Sequence, residues 1–170
     1  RGINVKPKAI ILENEGKNTA PAIALGAIKA LEEEQEDPLL LILSADHIIR
    51  DLKIFSKVLE QGCKAALDNN LVTFGIIPKH PETGYGYIES EFVLDKNNIK
   101  GSRIKRFIEK PNKELAQQLV KSKKYTWNSG IFVFKNSLII KELNTHAPLV
   151  LESCKNALTK SVRDLDFIRI

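Results

Sequence analysis

The stretch Leu39-Leu40-Leu41-Ile42-Leu43-Ser44-Ala45-Asp46-His47 decides how the chain is read. Five apolar residues in a row leave no polar face, as in a central parallel strand that helices cover on both sides. The run then breaks into serine, alanine, aspartate and histidine, so polar groups gather where the strand ends. Outward from it, residues 51–69 place Phe55, Val58, Leu59, Gly62 and Ala66 at helical spacing, and Leu71 to Ile76 reads as the next strand. On the other side, Ala9 to Leu12 is a short buried-strand pattern. Asn18 or Thr19 can cap a following helix that has Pro21 in its first turn and Ile23, Ala24, Ala27, Ile28 and Leu31 on one face. Strand, helix, strand, helix, strand at these lengths predicts an α/β fold with a parallel sheet and right-handed crossovers.

After Pro78 the rhythm changes. Residues 78–86 hold Pro78, Pro81, Gly84 and Gly86 and read as a turn-rich loop. Short strands are expected at Tyr87 to Glu91 and Phe92 to Leu94, broken by Asp95 to Asn98, and another at Ile104 to Ile108. Asn112 then caps a helix carrying Leu115, Leu119 and Val120. Ile131 to Phe134 reads as a strand, Ser137 to Leu143 as a helix, and Pro148 opens a last helix through Leu151, Cys154 and Leu158. No repeat or linker divides the chain, so residues 1–170 are read as one domain without an internal boundary.

With 43% hydrophobic residues and 28% charged, the 170 residues can bury a core, which excludes a disordered chain. No apolar run reaches the roughly 18 residues of a membrane span. Cys63 and Cys154 lack the spacing of a disulfide framework or a zinc site, so a cytoplasmic protein is expected. The chain has no methionine, even at position 1, which points to a piece of something longer. The net charge of +5 is concentrated at residues 101–124, where Arg103, Lys105, Arg106, Lys110, Lys113, Lys121, Lys123 and Lys124 face only Glu109 and Glu114. A nucleic-acid groove, an anionic substrate and a solvated surface are all readings of that segment; no aromatic residues interleave it to stack on bases.

Chemistry is expected beyond the carboxyl ends of the strands. Asp46 stands there, and one carboxylate suffices for Mg²⁺, which takes its other oxygens from phosphates and water. The competing reading is that Asp46 or Asp51 caps the next helix. His47 could bond a phosphate or be structural. Gly84-Tyr85-Gly86-Tyr87 allows close backbone approach to a sugar or phosphate, or is a turn into a strand. Glu109 and Lys110, side by side, suit a polyol phosphate: the carboxylate accepts from hydroxyls and the ammonium meets the phosphate. Asn128, in Trp127-Asn128-Ser129-Gly130, offers donors and an acceptor, although a turn could use the same residues. No GxGxxG or GxxxxGK[ST] cradle for a di- or triphosphate occurs in the chain.

Taken together in order, residues 13–22 (ENEGKNTAPA), 43–47 (LSADH), 71–88 (LVTFGIIPKHPETGYGYI), 107–111 (FIEKP) and 127–132 (WNSGIF) closely resemble the bacterial mannose-1-phosphate guanylyltransferases, a branch of the sugar nucleotidyltransferases. The resemblance implies a Rossmann-like, mostly parallel sheet flanked by helices, of the nucleotide-diphospho-sugar transferase type and incomplete at the N-terminus. It implies that mannose 1-phosphate attacks the α-phosphorus of GTP, giving GDP-mannose and pyrophosphate. Asp46 would then be a catalytic residue and Mg²⁺ ligand, and Lys110 a catalytic residue. Gly86, Glu109, Lys110 and Asn128 would surround the mannose phosphate, and Asn18, Thr19 and His47 would lie by the nucleotide. No nucleic-acid or membrane partner is expected, from the lack of interleaved aromatic residues and of a long apolar run, and a homodimer is allowed. The chain departs from the family pattern at Asn14, where proline is usual, and at Lys17, where arginine is usual; lysine keeps the charge but loses the planar fork. The family's Gly-rich loop after its first strand and its second metal-binding aspartate have no counterpart here. The expectation is therefore the middle of a catalytic domain, inactive alone, with a non-catalytic sugar-phosphate or nucleotide-binding module as the alternative.

Overall fold

The computed structural model describes residues 6–33, 36–93 and 99–170. In chain order these form β1 (Ile10–Leu12), α1 (Thr19–Glu33), β2 (Leu39–Ile42), α2 (Leu52–Leu67), β3 (Val72–Ile76), β4 (Tyr87–Ser90) and β5 (Ile104–Ile108). There follow α3 (Lys113–Ser122), β6 (Tyr125–Lys135), α4 (Asn136–His146), α5 (Pro148–Thr159), β7 (Val162–Asp164) and β8 (Phe167–Arg169). The class is mixed α/β with helices flanking sheets, as expected. The chain forms two compact units, residues 1–38 with 136–170, and residues 39–135. Among the described residues, no helix is long and apolar enough to cross a membrane.

The first unit packs α1, α4 and α5 around Ala24, Leu25, Leu143, Leu151 and Cys154. Pro148 starts α5, where a missing N–H costs nothing. Asn136 is fully buried and its amide donates to Ala27 O at 2.9 Å, tying α4 to α1. Asp37 anchors the start of α4 by accepting from Ser137 N and Ser137 Oγ at 2.8 and 2.6 Å. A small sheet runs β1-β8-β7, with β1 and β8 parallel and β7 and β8 antiparallel. The sequence pattern held no sign of β7 and β8, which are three residues each and bury only Ile168. Asn18, just before α1, has φ = +71°. That is the left-handed region, not the extended conformation of an N-cap, so the cap expected of Asn18 is not realised.

The second unit is built on β6. Its eleven residues are mostly buried, and the sheet runs β2-β6-β4-β5 with β3 also paired to β6. At Val133 the partners are Leu41 and Val72, and at Trp127 they are Ile76 and Tyr87. So β3 follows one edge of β6, while β2 and β4 succeed one another along the other. Here the pairing corrects the expected parallel sheet. β2 and β3 do run in the same direction, but β6 lies between them, antiparallel to both, and every pairing in this sheet is antiparallel. The all-apolar strand is also not the central one: Leu41 is 38% exposed, whereas Val133 in β6 is 1%. Periodicity reports how apolar a strand is, not which strand lies beside it.

Elements of this unit start where their caps place them. Asp51 accepts from Ile54 N at 3.0 Å to open α2, and Asn112 accepts from Leu115 N at 2.9 Å to open α3. The strand expected at Phe92 to Leu94 is absent at Phe92 and Val93, whose side chains are 68% and 62% exposed. Leu94 and residues 95–98 lie outside the described residues. Tyr87, Ala116, Leu119, Tyr125 and Trp127 form the core between α3 and the sheet.

Candidate active site

The β6 strand bulges where the expected site residues meet. Thr73 pairs with Phe132 and Gly75 with Asn128, so four steps along β6 oppose two along β3. Gly130, at φ = +69°, supplies the conformation this excursion needs. On the other edge of β6, the bulge falls between the last β2 pair, Ile42 with Phe132, and the first β4 pair, Tyr87 with Trp127. The segment after β2 and the loop before β4 therefore both end at residues 128–131. Trp127 to Gly130, which the sequence allowed as a turn, are inside the strand.

Asn128 is held from several sides. Its N–H donates to Gly86 O at 2.8 Å, and its side-chain Oδ1 accepts from Gly130 N at 3.4 Å and stands 3.1 Å from Thr73 Oγ1, whose one proton it shares with Ile131 O at 3.0 Å. With the carbonyl so engaged, the amide NH₂ is the group it has for a ligand. Gly86 is buried, and a Cβ there would lie 2.7 Å from Glu109 Oε2 and 2.8 Å from the Phe107 ring. Lys110 N donates to Tyr85 O at 3.2 Å, and its ammonium sits 3.6 Å from Glu109 Oε1. Lys110 takes φ = +44°, a conformation that costs a non-glycine residue about 1 kcal/mol and is held by the neighbouring structure. Gly86, Glu109, Lys110 and Asn128 thus belong to one cluster, with exposed carboxylate and ammonium groups beside a glycine whose missing side chain leaves room for Glu109 and Phe107.

Asp46 stands in the turn after β2, its side chain 86% exposed and 4.0 Å from His47 Nε2. Two residues earlier, Ser44 Oγ lies 3.7 Å from the Cβ position of Gly130, so this turn begins at the bulge. Since α2 is capped by Asp51, the capping alternative for Asp46 falls away. Among the described residues, no group of three or more His, Cys, Asp and Glu side chains stands together to hold a metal. Asn18 and Thr19 belong to the first unit, exposed at the start of α1. Nearby, Lys17 pairs with Glu15.

The basic segment is mostly exposed along β5 and α3. Arg106 donates to Tyr125 Oη and pairs with Glu89 at 3.2 Å. The Tyr125 hydrogen bond and then the Glu89 charge push its pKa further up. A hollow of about 370 Å³, lined by Ile77, Pro78, Val93, Val120, Lys123, Lys124, Tyr125 and Thr126, contains none of the expected site residues. Sequence reasoning missed Thr73, which orients Asn128 from β3, and Tyr87, whose hydroxyl bonds the backbone of Glu82 at 2.9 Å. Both lie within the resembling segment 71–88, but their roles arise across folded contacts that residue type and spacing do not record.

Comparison with known proteins gives the chain's family. A protein of Salmonella muenchen named mannose-1-phosphate guanylyltransferase is 46% identical over all of this chain, which spans 36% of that protein. A Helicobacter pylori structure described as mannose-6-phosphate isomerase superposes with a TM-score of 0.79 at 35% identity, covering 95% of this chain and 60% of its own. A Thermus thermophilus structure described as mannose-1-phosphate geranyltransferase gives 0.75 at 32% identity, covering 89% and 43%. The chain therefore spans little more than a third of the length of such curated relatives. The nucleotidyl transferase family model matches residues 2–170, and the chain belongs to that family.

Proposed function

We propose that the protein carrying this chain is a mannose-1-phosphate guanylyltransferase, joining GTP and mannose 1-phosphate into GDP-mannose and pyrophosphate, and that both compact units belong to its one catalytic domain. The reading is supported by the gathering of Glu109, Lys110 and Asn128 around Tyr85 and Gly86 in the loop before β4, and by relatives of that name. The observation that carries it is the Asn128 N to Gly86 O hydrogen bond, which brings the glycine loop against the strand bearing Asn128.

In the reaction, a phosphate oxygen of mannose 1-phosphate forms a bond to the α-phosphorus of GTP while the bond to pyrophosphate breaks. The protein's work is placement and charge neutralisation rather than covalent help. Glu109 accepts from sugar hydroxyls, Lys110 meets the phosphate, the Asn128 NH₂ donates, and the bare Gly86 backbone lets the hexose come close. Asn18, Thr19 and His47 are assigned to the nucleotide. The exposed Asp46 carboxylate suits Mg²⁺, which needs one or two protein carboxylates and completes its shell with phosphate oxygens and water. Bound there, the cation would neutralise phosphate charge.

The test is Mg²⁺-dependent formation of GDP-mannose by the whole protein, with other sugar 1-phosphates as comparison. No turnover, or preference for another sugar, overturns the assignment. Asp46→Asn should lower kcat about 100-fold with the melting temperature unchanged, the scale of one lost electrostatic group. Unchanged turnover at saturating Mg²⁺ would remove Asp46 from the site.

A further inference from the structure

The loop carrying Gly84 and Gly86 has no secondary structure of its own between β3 and β4. Two glycines make such a segment expensive to order, so something must hold it. Tyr87 is placed to do so. Its hydroxyl accepts from Glu82 N and donates to Glu82 O, both at 2.9 Å, so one group satisfies both backbone polar atoms of a residue five positions earlier. The ring is fully buried in the cluster with Ala116, Leu119, Tyr125 and Trp127. Its backbone lies between β5 and β6, opposite Ile108 and Trp127. The anchor is thus a buried side chain on a strand paired along both edges. A phenylalanine would fill the same space; the hydroxyl is spent on the loop.

The loop has other ties beside that closure. Tyr85 O accepts from Lys110 N and Gly86 O from Asn128 N. The Glu82 carboxylate pairs with His80 at 3.0 Å, and His80 and Tyr85 both lie against Trp127, with ring centroids 5.1 and 5.3 Å away. Joining residue 82 to residue 87 leaves only Thr83 to Gly86 to be arranged between fixed ends.

We propose that Tyr87 is a positioning residue for the sugar-phosphate side of the site: its hydroxyl clamps residues 82–86 so that Gly86 and Lys110 meet the ligand already ordered. This rests on the assignment of Gly86, Glu109, Lys110 and Asn128 to mannose 1-phosphate. A preorganised loop saves the ligand the cost of ordering it.

Tyr87→Phe in the whole protein tests the clamp with two readouts. In hydrogen exchange, the wild-type Glu82 amide should be protected, and the variant should exchange about tenfold faster within residues 82–86, with β4 and β6 unchanged. In kinetics, KM for mannose 1-phosphate should rise about tenfold while KM for GTP and kcat stay within about twofold. A Glu82 amide that exchanges freely in the wild type, or a variant loop that exchanges no faster, overturns the proposal. So does faster exchange with an unmoved mannose 1-phosphate KM where the wild type makes GDP-mannose. If the wild type makes none, the guanylyltransferase reading fails, and the exchange result alone decides for or against the clamp.

Discussion

A methyl group on residue 86 would meet Glu109 Oε2 at 2.7 Å and the Phe107 ring at 2.8 Å. The carboxylate ends a flexible side chain and can swing away, whereas the aromatic ring yields less. Gly86→Ala should therefore cost about 1–3 kcal/mol in urea unfolding, the usual range for overpacking. Its larger effect should be on ligand binding, because relief comes by displacing Glu109 from the glycine edge. KM for mannose 1-phosphate should rise more than about tenfold with KM for GTP nearly unchanged. An equal rise in both constants would show that position 86 acts on the fold rather than on the sugar phosphate. Lys110 makes the same point from the backbone: its left-handed φ of +44° is sustained by Tyr85 O accepting its N–H.

At the scale of elements, the deciding feature is the excursion in β6. Ser129, 4% exposed, accepts from Ile131 N at 3.1 Å, and Asn128 is bound by Thr73, so polar residues that suggest a turn are satisfied inside a strand. The bulge turns a regular ladder into a place where β2, β3 and β4 all approach one short segment. Helix α2 shows the opposite case, a boundary decided locally. Asp51→Ala should lower stability by about 1 kcal/mol through loss of the bond to Ile54 N, and leave both KM values unchanged. Asp46→Asn has no such helix to disturb. Equal melting-temperature losses in both variants would contradict the division between a capping and a functional aspartate.

At the scale of the molecule, ionisation links one buried thiol to folding. Cys154 is 6% exposed in the core of the first unit, and burial, then the charge of Glu13, push its pKa above the ordinary 9.0. On unfolding the thiol regains its ordinary value, so at alkaline pH the unfolded chain holds fewer protons than the folded one. Stability then falls as pH rises past the ordinary thiol pKa, and the effect is absent at neutral pH. Urea midpoints between about pH 8 and pH 10 should decline less steeply in Cys154→Ala than in the wild type. Identical slopes would show that the thiol contributes nothing. The half-buried Cys63 should meanwhile react first with thiol reagents at neutral pH.

The amino-acid order by itself determined the local elements and the motifs: apolar spacing located α1 to α3, Asn112 and Pro148 marked helix starts, and the residues of the five resembling segments indicated the family. It did not reveal that β6 divides β2 from β3, that Leu39 to Ile42 forms the end of the sheet order, or that Trp127 to Gly130 is strand. Those features depend on pairings between residues far apart in the chain, and a strand's own pattern records its burial but not its neighbour. The same holds within the candidate site. Gly86, Glu109, Lys110 and Asn128 were legible as residue types, whereas Thr73 and Tyr87 acquired roles only through hydrogen bonds formed once the sheet and its loop had closed.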